Sequence, residues 1–194
     1  SLLLTAYGGQ HWQEVPEKSR PGLTAGEASF AASRTTIRIL QNKQVVIATG
    51  GRKSRLLISD NKGDSWRSVT TPILQGESTT GIFSLAYKGA KNAIIAGGDY
   101  KRDTLRKDHV FYTKDDGKKW IAPATPTRGY RECVEYIDEH TVIATGPTGT
   151  DISLDGGINW RPLSDEQQFH TVRKSRKGNL VIMSGGSGKI AIVK

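Results

Sequence analysis

Arginine and tyrosine side chains are concentrated in the segments that connect the apolar runs of this chain, and together they could bind an anion. Guanidinium groups hold carboxylate, phosphate or sulfate groups through two parallel hydrogen bonds, and aromatic faces hold ligand rings. We predict an anion-binding surface, with the alternative that these charges only solvate surface loops. Its candidate residues are Arg52, Arg55, Asp99, Tyr100, Arg102, Arg128, Tyr130 and Arg131, joined by Glu27 and Glu77 from two similar Gly-Glu segments.

Three carboxylates of these segments, Glu27, Glu77 and Asp99, could instead serve glycoside hydrolysis. That reaction uses two carboxyl groups placed on either side of the scissile bond. Nothing in the spacing selects one pair of the three, so the sequence alone gives this hypothesis less support than ligand binding.

No metal or cofactor motif is complete in this sequence. Cys133 is the single cysteine, and the four histidines have no paired spacing. The segment 185–190 is similar to a phosphate-binding loop, but Met183 and Ile190 stand where that loop needs Gly and Ser or Thr. We therefore predict no cofactor and no metal, and we expect Cys133 to be a buried apolar residue within a strand.

Length and charge restrict the class of protein further. The chain has 194 residues and a formal net charge of +9, which fits one domain with acidic partners, either a protein or an anionic glycan or small ligand. Its apolar runs are far shorter than the roughly 18 residues that a membrane span needs. The basic cluster 173–177 lacks interleaved aromatic residues, so we predict a solvated hairpin tip there and do not favour nucleic acid as a partner.

All four tryptophans close one repeated motif, Ser/Thr-x-Asp-x-Gly-x-x-Trp, at spacings of 54, 54 and 40 residues. A short acidic or amide side chain accepts hydrogen bonds from the backbone of its own turn, and the glycine two positions later can adopt a positive φ. Each motif therefore predicts a hairpin turn, which we call a Trp turn, and the Trp is an apolar anchor on the next strand. The positions predicted to be structural are Ser59, Asn61, Gly63, Trp66, Thr113, Asp115, Gly117, Trp120, Ser153, Asp155, Gly157 and Trp160.

Short apolar runs that end in glycine recur between the motifs and predict buried strands. They are Val45–Gly51, Ala93–Gly98, Thr141–Gly146 and Leu180–Gly186. Runs of mixed polarity precede them, such as 82–87 and 133–137, and no stretch shows helical periodicity. Four strands in each repeat of 40 to 54 residues predict an all-β chain of four-stranded antiparallel blades, a β-propeller.

The motifs resemble the Asp-box, or BNR, repeats of sialidase-like propellers. With the glycine-terminated strands they are most similar to the photosystem II stability/assembly-factor-like branch. Tyr7 and Asn61 replace the Asp of the first two motifs; Asn can make the same turn, whereas Tyr cannot. The resemblance implies a non-enzymatic scaffold with structural motif residues, and it favours an exported protein, periplasmic or extracellular.

The alternative that the resemblance implies is a sialidase-like or other glycoside hydrolase. A sialidase active site needs arginines, a tyrosine nucleophile with a glutamate helper, and an acid/base aspartate. Arg128, Arg131, Tyr130 and Glu77 could belong to such a set, although their spacing is not distinctive.

We divide the chain into a partial blade over 1–21, blades at about 22–71, 72–125 and 126–164, and a partial blade over 165–194. Because propellers of this kind close with about six or seven blades, we expect the C-terminal part of a longer ring. A closed ring of about four blades is the alternative. Antiparallel order predicts that the Trp turns lie on one face and the candidate binding residues on the opposite face.

Overall fold

The computed structural model describes residues 2–193, and regular structure in this range is β-strand apart from 3-10 turns at Glu17–Ser19 and Gly186–Gly188. The predicted all-β class is therefore confirmed. No helix in this range is long and apolar enough to cross a membrane.

The strands form an N-terminal hairpin and four antiparallel sheets, which we call sheets A to D. The hairpin pairs β1 (Leu3–Leu4) with β2 (Gln13–Glu14). Sheet A has the order β4 (Ile37–Ile39), β5 (Val45–Ala48), β7 (Arg55–Ser59) and β8 (Arg67–Thr70). Sheet B contains β9 (Thr80–Lys88), β10 (Asn92–Asp99) and β11 (Val110–Thr113), and the short strands β6 (Gly50–Gly51) and β3 (Glu27–Ala28) extend it beyond β9. Sheet C has the order β12 (Cys133–Tyr136), β13 (Val142–Gly146), β14 (Gly149–Ser153) and β15 (Arg161–Ser164). Sheet D contains β16 (Phe169–Lys174), β17 (Val181–Gly185) and β18 (Ile190–Val193).

Apolar side chains fill three layers, one between each pair of successive sheets. Val46 and Ile58 of sheet A pack with Leu85 and Ile95 of sheet B. Residues of β10 alternate between this layer and the next, so the strand is buried from Ala93 to Asp99. The uninterrupted apolar runs of the sequence are thus strands covered on both faces, as predicted.

The first strands of sheets B, C and D lie side by side. Polar side chains connect these strands to one another and to the segment that leads into β4. Thr35 and Ser84 share a hydrogen bond of 2.7 Å between their hydroxyl oxygens. The amide of Val134 donates to Ser84 Oγ at 2.8 Å, and the amide of Val172 donates to Cys133 Sγ at 3.4 Å. Cys133 is fully buried, as its predicted role requires.

The last three Trp turns share one pattern of hydrogen bonds from backbone amides to the motif side chains. In the last turn, Ser153 Oγ accepts from the amide of Gly157 at 2.8 Å, and Asp155 Oδ1 accepts from the amide of Asn159 at 2.9 Å. The indole of Trp160 donates to the Gly157 carbonyl at 3.0 Å. The equivalent amide bonds measure 2.7 and 2.9 Å in the turn that begins at Ser59, and 3.1 and 2.9 Å in the turn that begins at Thr113. The predicted turn chemistry is confirmed in all three.

The first Trp turn forms even though Tyr7 replaces the aspartate. Thr5 Oγ1 accepts from the amides of Tyr7 and Gly9 at 3.3 and 3.0 Å, and the strands on either side are paired. The Tyr7 side chain is 64% exposed. The Ser or Thr hydroxyls of the other three turns make the same two bonds, so the first turn forms with the hydroxyl bonds and the strand pairing alone.

The glycines that end the second strands allow a close approach of two backbone segments. A Cβ atom at Gly97 would lie 1.9 Å from the carbonyl oxygen of Gly81 in the first strand of the same sheet. A Cβ at Gly185 would lie 1.8 Å from the carbonyl oxygen of Gln168, just before β16. Glycine recurs at this position because the backbone of the second strand lies too close to the start of the first strand for a side chain to fit between them.

The basic cluster 173–177 does not lie entirely at a hairpin tip, so that prediction is wrong in part. Strand β16 continues to Lys174, and the turn to β17 begins only at Ser175. Arg173 lies within the strand, and its Nη2 donates to the carbonyl of Ser33 at 2.7 Å. The strand position of Arg173 differs from the prediction because the charge run around it is typical of a solvated turn.

The outer faces of sheets A and D expose isoleucines. Ile39 is 76% exposed in sheet A, and Ile190 is 72% exposed in sheet D.

The blade boundaries and the longer ring that we expect from the sequence stay predictions.

We expect Gly97→Ala to destabilise the protein by about 3 kcal/mol, because the new methyl group would overlap a carbonyl that the strand pairing holds in place. Gly22→Ala is the matched control, since an added Cβ there meets nothing within 4 Å. Thermal unfolding of both variants measures the difference. Equal melting temperatures for the two variants would contradict the assigned close approach.

Candidate functional site

The ten predicted binding residues all lie in or beside loops at the end of the sheets opposite the Trp turns. We call this end the loop face. It contains the turns 49–54 and 99–109, which follow second strands, and the segments 20–36, 71–79 and 122–132, which lead into first strands. Some of the ten side chains are buried and form the base of the loops, and the others are exposed.

Glu27 of β3 and Arg55 of β7 form a buried ion pair that connects sheet B to sheet A at the base of the loop face. Arg55 Nη2 and Nε donate to the two carboxylate oxygens of Glu27 at 2.6 and 2.9 Å. The amide of Thr24 and the hydroxyl of Thr49 also donate to this carboxylate, at 2.9 and 2.7 Å. Burial by itself would raise the pKa of Glu27, but the bonds from Arg55, Thr24 and Thr49 outweigh it and lower the pKa to about 2.

Arg128 and Arg131 share one buried carboxylate, Asp151, in sheet C. Arg131 is fully buried, and its Nη2 and Nε donate to Asp151 Oδ2 at 2.5 and 2.9 Å. Arg128 Nε donates to the other oxygen, Oδ1, at 2.8 Å, and its Nη1 donates to Asp165. Both guanidinium groups therefore already hold the kind of planar anion that they were predicted to bind from solution.

Tyr130 is also buried, inside an aromatic cluster where β9 begins. The rings of Tyr130 and Phe83 are perpendicular, with centroids 4.8 Å apart. Phe30 stacks on the Phe83 ring with centroids 4.2 Å apart. The Tyr130 hydroxyl donates to Glu132 at 3.4 Å, and Glu132 contacts His170 Nδ1 of sheet D at 2.5 Å. Burial raises the pKa of the Tyr130 hydroxyl further above its ordinary value. This phenol stays protonated and packs the base of the loops.

The exposed part of the loop face is basic. Tyr100 is 47% exposed and touches the edge of Phe83, which anchors it to the aromatic cluster below. Arg102 is also exposed, although its Nε donates to buried Asp99 at 2.7 Å. We call the exposed positive side chains of the turns 49–54 and 99–109 the loop-face cations, and they are Arg52, Lys101, Arg102, Arg106 and Lys107. Between residues 2 and 193, Arg102 alone of these five has an ion-pair partner.

The ten predicted residues thus divide by exposure. Six of them lie in the base of the face, and Arg128 is the one among them that is only mostly buried. The six are Glu27, Arg55, Asp99, Arg128, Tyr130 and Arg131. Tyr100, Arg52, Arg102 and Glu77 remain on the surface. Sequence reasoning missed Asp151 as the shared partner, because this residue lies inside a strand, between Thr150 and Ile152, and 20 or more residues from either arginine.

The carboxylates considered for glycoside hydrolysis do not have the environment of a general acid, which needs a raised pKa. Burial would raise the pKa values of Glu27 and Asp99, but their arginine partners and neighbouring donors lower both. Glu77 is exposed on its loop. Over the described range, no group of three or more His, Cys, Asp or Glu residues is arranged to hold a metal ion.

A scan against protein-family models and a search of curated proteins each found no match. Solved structures do match. A structure of YCF48 bound to D1 peptide superposes with a TM-score of 0.57 and 16% identity, covering 90% of this chain and 57% of that one. A GH74 xyloglucanase from Xanthomonas campestris superposes with a TM-score of 0.52 and 15% identity, covering 78% of this chain and 26% of the enzyme. YCF48 from Cyanidioschyzon merolae gives 0.49 and 14%, covering 87% and 59%.

The two superpositions with TM-scores of 0.57 and 0.52 define the fold class, and at such low identity they define nothing finer. The chain is an all-β protein of the β-propeller fold, as the repeats predicted. It spans little more than half the length of the YCF48 structure that it matches.

The low pKa of Glu27 predicts a defined acid sensitivity. Because the pKa falls from an ordinary 4.5 to about 2, the stabilisation is complete above pH 4.5 and is lost as the pH falls towards 2. We expect Glu27→Gln to cost about 3 kcal/mol at pH 7 and much less near pH 2.

Thermal unfolding across this pH range measures the effect, with exposed Glu77→Gln as the matched control. A Glu27→Gln variant whose stability falls with acid as steeply as that of the wild type would show that the ion pair does not carry the stabilisation.

Proposed function

We propose that this propeller is a non-enzymatic binding domain that recognises a partner protein through its loop face. The observation that carries the proposal is the set of loop-face cations, exposed with Tyr100 on loops whose base contains buried ion pairs. Exposed positive charge beside an aromatic ring suits an acidic peptide segment, because the cations attract carboxylates and the ring packs against apolar atoms.

The buried base supports this role because it fixes the loops in advance. Arg131 and Arg55 each use several donors within the protein and hold the neighbouring loop segments, so these loops lose little further freedom on binding. Preorganised loops lower the entropy cost of association. The YCF48 structure that superposes on this chain carries a D1 peptide, so the same fold supports peptide binding in that protein.

The Trp turns support the resemblance to Asp-box repeats and separate structure from function. In three turns the Ser or Thr hydroxyl and the Asp or Asn side chain accept hydrogen bonds from backbone amides of the turn itself. We infer that these twelve motif positions are structural, and that the ligand is recognised on the opposite face.

A glycoside hydrolase was the alternative from sequence, and the similarity to a GH74 xyloglucanase extends to the fold alone. No observation at the loop face favours hydrolysis over binding, because two of the three candidate carboxylates are held in ion pairs with arginine.

Charge reversal tests the proposal. We expect Arg52→Glu combined with Arg106→Glu to weaken binding of a fluorescein-labelled decapeptide rich in Asp and Glu by about tenfold or more, because two attractive charges become repulsive. Fluorescence anisotropy measures the affinity, which should also fall as salt rises.

Lys62→Glu combined with Lys118→Glu, on the Trp-turn face, is the matched control with the same change in net charge. Equal weakening by both pairs, or equal binding of the Asn and Gln version of the peptide, would reduce the effect to overall charge and refute a specific loop face.

A further inference from the structure

A second basic site lies on the other side of the molecule, around a cavity at the Trp-turn end of the first strands. The cavity has a volume of about 250 Å³ and is lined by the ends of β4, β9 and β12. Arg38, Gln41, Tyr87, Glu135 and Tyr136 supply its polar side chains. None of these five belongs to the loop face.

Two guanidinium groups converge on one carboxylate oxygen beside this cavity. Arg38 Nη2 lies 3.0 Å from Glu135 Oε2, and Arg173 Nη1 lies 3.7 Å from the same oxygen. The three side chains are between 18% and 37% exposed, so solvent screens them only in part. The cluster therefore carries one positive charge in excess. At the base of the loop face, by contrast, carboxylates neutralise the arginines.

The two arginines differ in how many donors remain for a ligand. The guanidinium donors of Arg173 are occupied within the protein. They donate to Cys133 Sγ at 3.1 Å and to the carbonyls of Val172 and Ser33 at 2.7 Å each. Arg38 donates through Nε to the Leu85 carbonyl and through Nη2 to Glu135. Its Nη1 makes no hydrogen bond to any residue from 2 to 193.

Two phenols complete the lining. Burial raises the pKa of Tyr136 to about 12 and shifts that of Tyr87 in the same direction, so both keep their protons at neutral pH. Protonated phenols are hydrogen-bond donors that add no negative charge. An excess guanidinium charge, one free guanidinium nitrogen and two phenol donors form a set that suits an oxyanion.

The size of the cavity limits the ligand. Water occupies about 30 Å³ per molecule in the liquid, so the space corresponds to roughly eight waters. That is below the range of pockets for drug-sized molecules, which begins near 300 Å³. A phosphate ion or a short dicarboxylate fits this space.

We propose that this cavity binds a small oxyanion, a carboxylate or phosphate group, which Arg38 holds together with Tyr87 and Tyr136. Glu135 limits the affinity, because its carboxylate already occupies one edge of Arg38. Arg173 is a positioning residue that supplies the second positive charge. The site is independent of partner binding at the loop face.

Isothermal titration calorimetry of the whole chain at low salt, with inorganic phosphate and with succinate, tests the proposal and distinguishes the two ligand groups. Arg38→Gln should weaken binding about tenfold or more, because a charge-assisted bond is lost. Glu135→Gln should tighten it severalfold, because a competing negative charge disappears while the shape is kept. Arg52→Gln, on the loop face, should leave it unchanged.

The opposite signs of the two central variants keep the test independent of folding, since a damaged protein cannot bind more tightly. Binding of phosphate alone or of succinate alone supports the proposal and identifies the group. Failure of the wild type to bind either one, weaker binding by Glu135→Gln, or equal loss in Arg52→Gln would overturn it.

Discussion

The loop face depends on one interaction, the buried ion pair between the segment that enters a sheet and the third strand of that sheet. In sheet A, Glu27 of the entry segment pairs with Arg55 at the start of β7. In sheet C the charges are exchanged, because Arg128 and Arg131 of the entry segment pair with Asp151 of β14. A buried charge is tolerated only with a partner, so each pair fixes a long loop on the end of its sheet.

The pairs also determine where the surplus positive charge of the chain is available. Arginines that meet a carboxylate inside the protein contribute stability and no ligand binding. In the two candidate sites some positive charge remains in excess: Arg52, Lys101, Arg106 and Lys107 of the loop-face cations have no ion-pair partner between residues 2 and 193, and two arginines share Glu135 beside the cavity. The two sites lie at opposite ends of the first strands, so one propeller offers a broad basic surface on one side and a small basic cavity on the other.

The repeats allowed most of the fold to be predicted, because the Trp turns and the glycine-terminated strands depend on local chemistry. Ser153, Asp155 and Gly157 make bonds within five residues of one another. The ion-pair partners of the buried arginines could not be predicted, because it is the pairing of β12, β13 and β14 that brings Arg131 next to Asp151. Arg173 escaped prediction for a similar reason, as its partners come from sheets A and C.

The central claim is that buried arginines support the loop face and exposed cations recognise the partner. Two-dimensional NMR of the arginine Nε–Hε groups, recorded while an acidic decapeptide is added, tests it most directly. The account predicts that the signals of Arg55, Arg128 and Arg131 are protected from solvent exchange and do not move, whereas those of Arg52 and Arg106 shift. Shifts at Arg55 or Arg131 with none at Arg52 and Arg106 would contradict it.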